Sequence, residues 1–112
     1  MTLPSGRSHK LGDWPAIEAV PGVVRQVLAC SEQLMIVKFV IAPGAEVPMH
    51  THPHEQTGHV VSGQLRMRIG DQERELSPGD GYSIPGNIPH GAIGITESVV
   101  VDSFHPVRED YR

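Results

Sequence analysis

Short apolar runs, broken by glycine and proline about every ten residues, set the rhythm of this chain. No window of helical length carries an apolar face at helical period, so the pattern predicts an all-β sandwich or barrel. Strands are expected over residues 23–29, 34–41, 46–50, 56–62, 65–69, 81–84 and 98–104, with a further strand starting at His90. The run 34–41 is nearly all apolar, which predicts burial on both faces. Before residue 23, glycine and proline are frequent, so residues 1–22 read as an irregular arm anchored by Trp14 and Ile17. The tail from His105 is charged and expected to be only partly ordered. The chain therefore divides into an arm, 1–22, and one barrel domain, 23–112.

One hairpin can be read in register. Leu65, Met67 and Ile69 alternate with Arg66 and Arg68, and Gly70-Asp71 is a two-residue turn signal. Such a turn pairs Ile69 with Gln72, Arg68 with Glu73 and Arg66 with Glu75. The two outward pairs are then opposite charges across the ladder, each contributing roughly 0.2–1 kcal/mol. The same register puts Arg74 on the face of Met67. Either its stem carries the charge out at a rim or the turn is longer.

Composition narrows the function classes. The 112 residues carry a net charge of −4, and the nine Lys and Arg are scattered rather than striped, which argues against nucleic acid or an anionic membrane as partner. No run reaches the length of a membrane span. A single cysteine, Cys30, excludes an intramolecular disulfide and suits a reducing cytoplasm.

The candidate chemistry lies in the middle of the chain. His50, His52, Gln56 and His90 are imidazole and amide groups of the kind that bind Zn, Ni, Fe or Mn. His50 and His52 are two apart and share a face if the strand continues through them. Gln56 returns past a turn at Pro53, and His90 comes from another strand. The alternative is that these histidines only fill a barrel mouth. His54 and Glu55 fall in the turn and are expected at solvent or an interface, and His59 and His105 fall on the wrong parity for the site. Asp102 interrupts a valine run and shares strand parity with Val100 and Phe104. It either sits in the pocket, poised for acid–base work, or points to solvent at a strand end. Phe104 is expected to pack, and can also wall the pocket.

These residues resemble a known family. Gly44, His50-Thr51-His52, Gln56 and Gly63 stand at the spacing of the first cupin motif, and Gly79, Pro85, Asn87 and His90 at that of the second. Gln56 replaces the usual glutamate, Asn87 a glycine and Gly94 an asparagine. The strings 52–56 and 102–111 resemble small pectin-degradation cupins that ketonise 4,5-unsaturated monouronates, although His105 and His59 depart from that group. The resemblance implies an antiparallel jelly-roll β-barrel holding one divalent transition metal on His50, His52, Gln56 and His90. It implies Asp102 as the proton-transfer group, Arg108 at the substrate carboxylate, and a small-molecule substrate such as a uronic acid. It also implies a homodimer with the N-terminal arm crossing over. Arg108 has an equally simple reading, a tail arginine paired with Glu109 or Asp110. An iron-dependent dioxygenase and a non-catalytic ligand-binding cupin are the rival functions.

Overall fold

A computed structural model describes residues 6–112; the first five residues of the expected arm lie outside the described residues. The strands are β1 (Ile17–Val20), β2 (Val23–Cys30), β3 (Met35–Ile41), β4 (Glu46–His50), β5 (Glu55–Ser62), β6 (Leu65–Ile69), β7 (Gln72–Leu76), β8 (Gly81–Ile84), β9 (His90–Gly94) and β10 (Ser98–His105). A short 3-10 turn, Glu109–Tyr111, follows. The strands form a six-stranded sheet, β1-β2-β3-β10-β5-β8, and a four-stranded sheet, β4-β9-β6-β7. Every pairing is antiparallel. The fold is all-β, an antiparallel jelly-roll barrel.

β10 shows how the sequence builds it. Ser98, Val100, Asp102 and Phe104 are buried, while the intervening residues are partly or fully exposed. That period-two pattern seats one face of the strand in the core. Val100 joins Val23, Ile41, Val60, Leu65 and Met67 between the sheets, and Phe104 joins Val27, Met35, Val37 and Val107 nearer the tail. Asp102 lies between the two apolar clusters. A carboxylate at that position interrupts a core that apolar residues would otherwise make continuous.

The hairpin register is the one the charges imply: Ile69 opposes Gln72, Arg68 opposes Glu73 and Arg66 opposes Glu75. The ion pair that forms runs diagonally, from Arg66 Nε to Glu73 Oε1 at 3.5 Å. Both side chains are half exposed, where such a pair contributes little. Arg74 opposes Met67 yet is exposed, because β7 is an edge strand and its stem can reach solvent.

Three local expectations are corrected. β3 is buried on one face only: Ile36 is 38% exposed, and Leu34, just before the strand, is 58% exposed. Lys38 and Val40, on the same face as Ile36, are only half-buried, so an apolar run here does not mean two covered faces. The expected arm contains a strand, β1, which pairs with β2. Trp14 packs against the lower core and its carbonyl accepts a hydrogen bond from the Gln26 amide, whereas the Ile17 side chain is 39% exposed and belongs to neither apolar cluster.

Candidate metal centre and pocket

His50 ends β4, His90 opens β9 directly across from it, His52 stands in the loop after β4, and Gln56 lies on β5. The shared strand face inferred for His50 and His52 is not how they meet, since the strand ends at His50. The loop carries His52 inward instead, leaving it 7% exposed, while His50 is open to solvent. One ligand atom from each of His50, His52 and His90 lies within 4.8 Å of the others, so the three could hold a metal ion.

The backbone sets the tautomers. Each of the three rings places Nδ1 against a main-chain carbonyl: His50 on Pro48 and His90 on Ile88, both at 2.8 Å, and His52 on His54 at 3.0 Å. A carbonyl only accepts, so each Nδ1 carries the hydrogen and each Nε2 presents a lone pair. His90 Nε2 is buried with no hydrogen-bond partner among the described residues. His52 Nε2 faces Gln56 Oε1 at 3.1 Å. Gln56 donates from Nε2 to Asp102 Oδ2 at 2.5 Å, which turns its carbonyl oxygen toward the histidines. While Asp102 is ionised, His52 Nε2 and Gln56 Oε1 are therefore two acceptors facing one another. A proton on both His52 nitrogens would resolve the conflict, but burial, reinforced by the Arg108 charge, pushes this ring down to about 4. A cation held by the two lone pairs would resolve it. The donor set, three imidazole nitrogens and one amide oxygen, suits a borderline divalent transition metal.

Asp102 is 3% exposed and accepts hydrogen bonds from Gln56 and from the Tyr82 hydroxyl. Burial pushes its carboxyl up to about 7, against those two donors, which pull it down. Burial likewise lowers His90, opposed by its bond to Ile88. His50, Gln56, His90, Asp102, Phe104 and Arg108 line one cavity between the sheets. Phe104 is 1% exposed, with its ring 5.9 Å from that of His52, so it both packs the core and walls the cavity. Arg108 lines the cavity and pairs with Asp110, with its side chain 12% exposed rather than solvated.

Other sequence-marked groups stay outside. Glu55 and His105 are exposed. His54, expected at solvent or an interface, is half-buried with its ring 5.5 Å from that of His52. His59 is exposed, opposite Val101 on the outer face of its sheet. Tyr82 and Tyr111 line the cavity without having been singled out. Tyr82 sits opposite a mid-strand glycine, Gly58, a pairing that only the fold reveals. Asn87 adopts φ 66°, which explains how asparagine serves where the motif has glycine.

Two facing sheets with a three-histidine cluster at the cavity define a cupin, and the chain belongs to that family: residues 37–102 match the cupin domain. Its similarity to particular members covers nearly the whole chain. The pectin degradation protein KdgF of Dickeya dadantii (strain 3937) is 34% identical over 99 residues, spanning 87% of this chain and 90% of that protein. The structure of KdgF from Halomonas sp. superposes with a TM-score of 0.87 at 32% identity, covering 95% of this chain and 98% of that one. An RmlC-like cupin from Shewanella frigidimarina NCIMB 400 gives a TM-score of 0.88 at 30% identity, covering 96% and 97%. Among the described residues, no helix is long and apolar enough to cross a membrane.

Proposed function

We propose that this chain is a metal-dependent cupin enzyme that ketonises 4,5-unsaturated monouronates, the small carboxylated sugars left by pectin and alginate breakdown. His50, His52, Gln56 and His90 would hold one divalent transition metal, which supplies Lewis acidity toward the sugar's oxygens when bound. Arg108 holds the substrate carboxylate through its planar donors. Asp102 moves a proton on its carboxyl oxygen as the enol passes to the keto form and the ring opens. Phe104 walls the pocket and keeps water from that carboxyl. The observation that carries the reading is Asp102, a carboxyl 3% exposed in the cavity that His50, His90 and Arg108 also line. The similarity to proteins named for pectin degradation supports the substrate class.

The test is loss of the substrate's ultraviolet absorbance on adding the metal-loaded protein. Asp102→Asn is expected to lower kcat by roughly a hundredfold or more. Equal rates for wild type and variant would remove Asp102 from the chemistry. Oxygen uptake with Fe(II) would favour a dioxygenase, and uronate binding without turnover a ligand-binding protein.

The reading extends to a cytoplasmic homodimer in which the arm, 1–22, reaches the neighbouring barrel. The single cysteine supports the compartment, and two exposed apolar residues on the six-stranded sheet, Ile36 at 38% and Val61 at 49%, support the dimer. Sedimentation at monomer mass alone would reject the dimer.

A further inference from the structure

Arg108 is held on three sides. Its Nε and Nη2 donate to the two carboxylate oxygens of Asp110, at 3.2 and 3.0 Å. Its Cζ lies 4.2 Å from the centroid of the Tyr111 ring and 5.4 Å from that of Phe104. Tyr111 is held in turn by Arg25, whose Cζ is also 4.2 Å from the ring centroid. A guanidinium has two edges that can grip a carboxylate, the side edge (Nε with Nη2) and the end edge (Nη1 with Nη2). Asp110 takes the side edge. Among the described residues, Nη1 has no protein acceptor.

The burial asymmetry shows which way the pair faces. The Arg108 side chain is 12% exposed and lines the cavity, whereas Asp110 is 60% exposed and does not line it. Asp110 therefore approaches the guanidinium from the solvent side and leaves the cavity side open. Arginine stems are flexible and lose rotamer freedom when fixed. A partner that fixes one beforehand strengthens a contact made at its other edge.

We propose that Asp110 is a positioning residue: by gripping the side edge of Arg108 it presents the end edge to a ligand carboxylate in the cavity. This rests on the reading of Arg108 as the carboxylate-binding group. It makes the C-terminal turn, rather than the barrel strands, the element that selects an anionic sugar. Asp110 acts only through Arg108.

The test is steady-state kinetics of the metal-loaded, full-length protein on a 4,5-unsaturated monouronate, with calorimetric titration of galacturonate as a readout independent of turnover. Asp110→Asn is expected to raise KM and the galacturonate Kd about tenfold with kcat within about twofold, and Asp110→Glu to recover part of the loss. In an Arg108→Ala background, Asp110→Asn is expected to add nothing. If Arg108→Ala weakens binding but Asp110→Asn does not, the positioning role is wrong and the carboxylate reading stands. A fall in KM on Asp110→Asn also overturns it, making Asp110 a competitor for the fork. If Arg108→Ala leaves KM and Kd unchanged, or if wild type neither turns over the uronate nor binds galacturonate, the underlying reading fails and this inference with it.

Discussion

Tyr82 reaches Asp102 across a strand that has no side chain in the way. The two residues sit on β8 and β10, and the residue between them on β5 is Gly58, paired with both. The Tyr82 hydroxyl donates to Asp102 Oδ1 over that gap. A Cβ at Gly58 would run into the Tyr82 ring and the Asp102 carboxylate. Tyr82→Phe is therefore expected to destabilise the fold by about 1.5–3 kcal/mol, the range for a hydrogen bond to a charged group. Gly58→Ala should cost at least as much, because it displaces the tyrosine and overpacks the site. Urea unfolding measures both, and a neutral Gly58→Ala would show that the row is not packed as described.

The facing acceptors His52 Nε2 and Gln56 Oε1 predict that metal stabilises the fold. At a hundredfold excess over Kd, a divalent ion bound only by the folded chain adds about 2.7 kcal/mol. For a domain of this size that raises the unfolding midpoint by on the order of 10 °C. His90→Ala should abolish the shift, since it removes one of the three clustered nitrogens. Thermal scans with Zn, Ni, Mn and Fe(II), alongside elemental analysis, check this. No shift with any of the four would remove the metal from the account.

What could be read beforehand was whatever local chemistry dictates. The β6–β7 register follows from a two-residue turn and opposite charges, and it holds residue for residue. Asp102 was half legible: parity grouped it with Val100 and Phe104 but left open whether that face ended in the pocket or at solvent, and the fold buries it. Tyr82 was not, because its role depends on a glycine in one neighbouring strand and a carboxylate in the next, and no spacing within the chain carries that. The Arg108 fork was half legible: Asp110 is two residues away, but the aromatic faces that hold the guanidinium come from folding the tail back over β10. β3 misled because an apolar run does not say whether a second layer covers it.

Two motif glycines separate backbone strain from packing. Gly44 and Gly63 have φ of 75° and 81°. A Cβ at Gly44 meets nothing within 4 Å, whereas at Gly63 it collides with the Glu97 carbonyl and with Ser98. Gly44→Ala should cost about 1–2 kcal/mol, the left-handed strain alone. Gly63→Ala should cost at least about 2 kcal/mol, with the clash of overpacking added to the same strain. Chemical denaturation of the pair tests the difference, and equal losses would mean that the β5–β6 turn can relax.

Asp102 and His52 impose opposite pH dependences on the metal-free fold. Burial raises the Asp102 carboxyl from 3.8 to about 7, so its contribution to stability is complete below the unfolded value and is lost as pH rises toward 7. Burial and Arg108 lower His52 from 6.5 to about 4, so its contribution is present above 6.5 and is lost as pH falls through 4. Wild type therefore shows a muted profile, with one contribution falling where the other grows. Asp102→Asn removes the first and keeps the second. The stability of the variant relative to wild type should rise steadily from pH 4 to 7, because wild type increasingly bears the cost of a buried carboxylate that the amide never acquires. Unfolding midpoints of both proteins in chelator across that window measure the difference. A difference that stays level, or shrinks as pH rises, would mean that the Asp102 carboxyl is ionised throughout and that its two donors outweigh its burial.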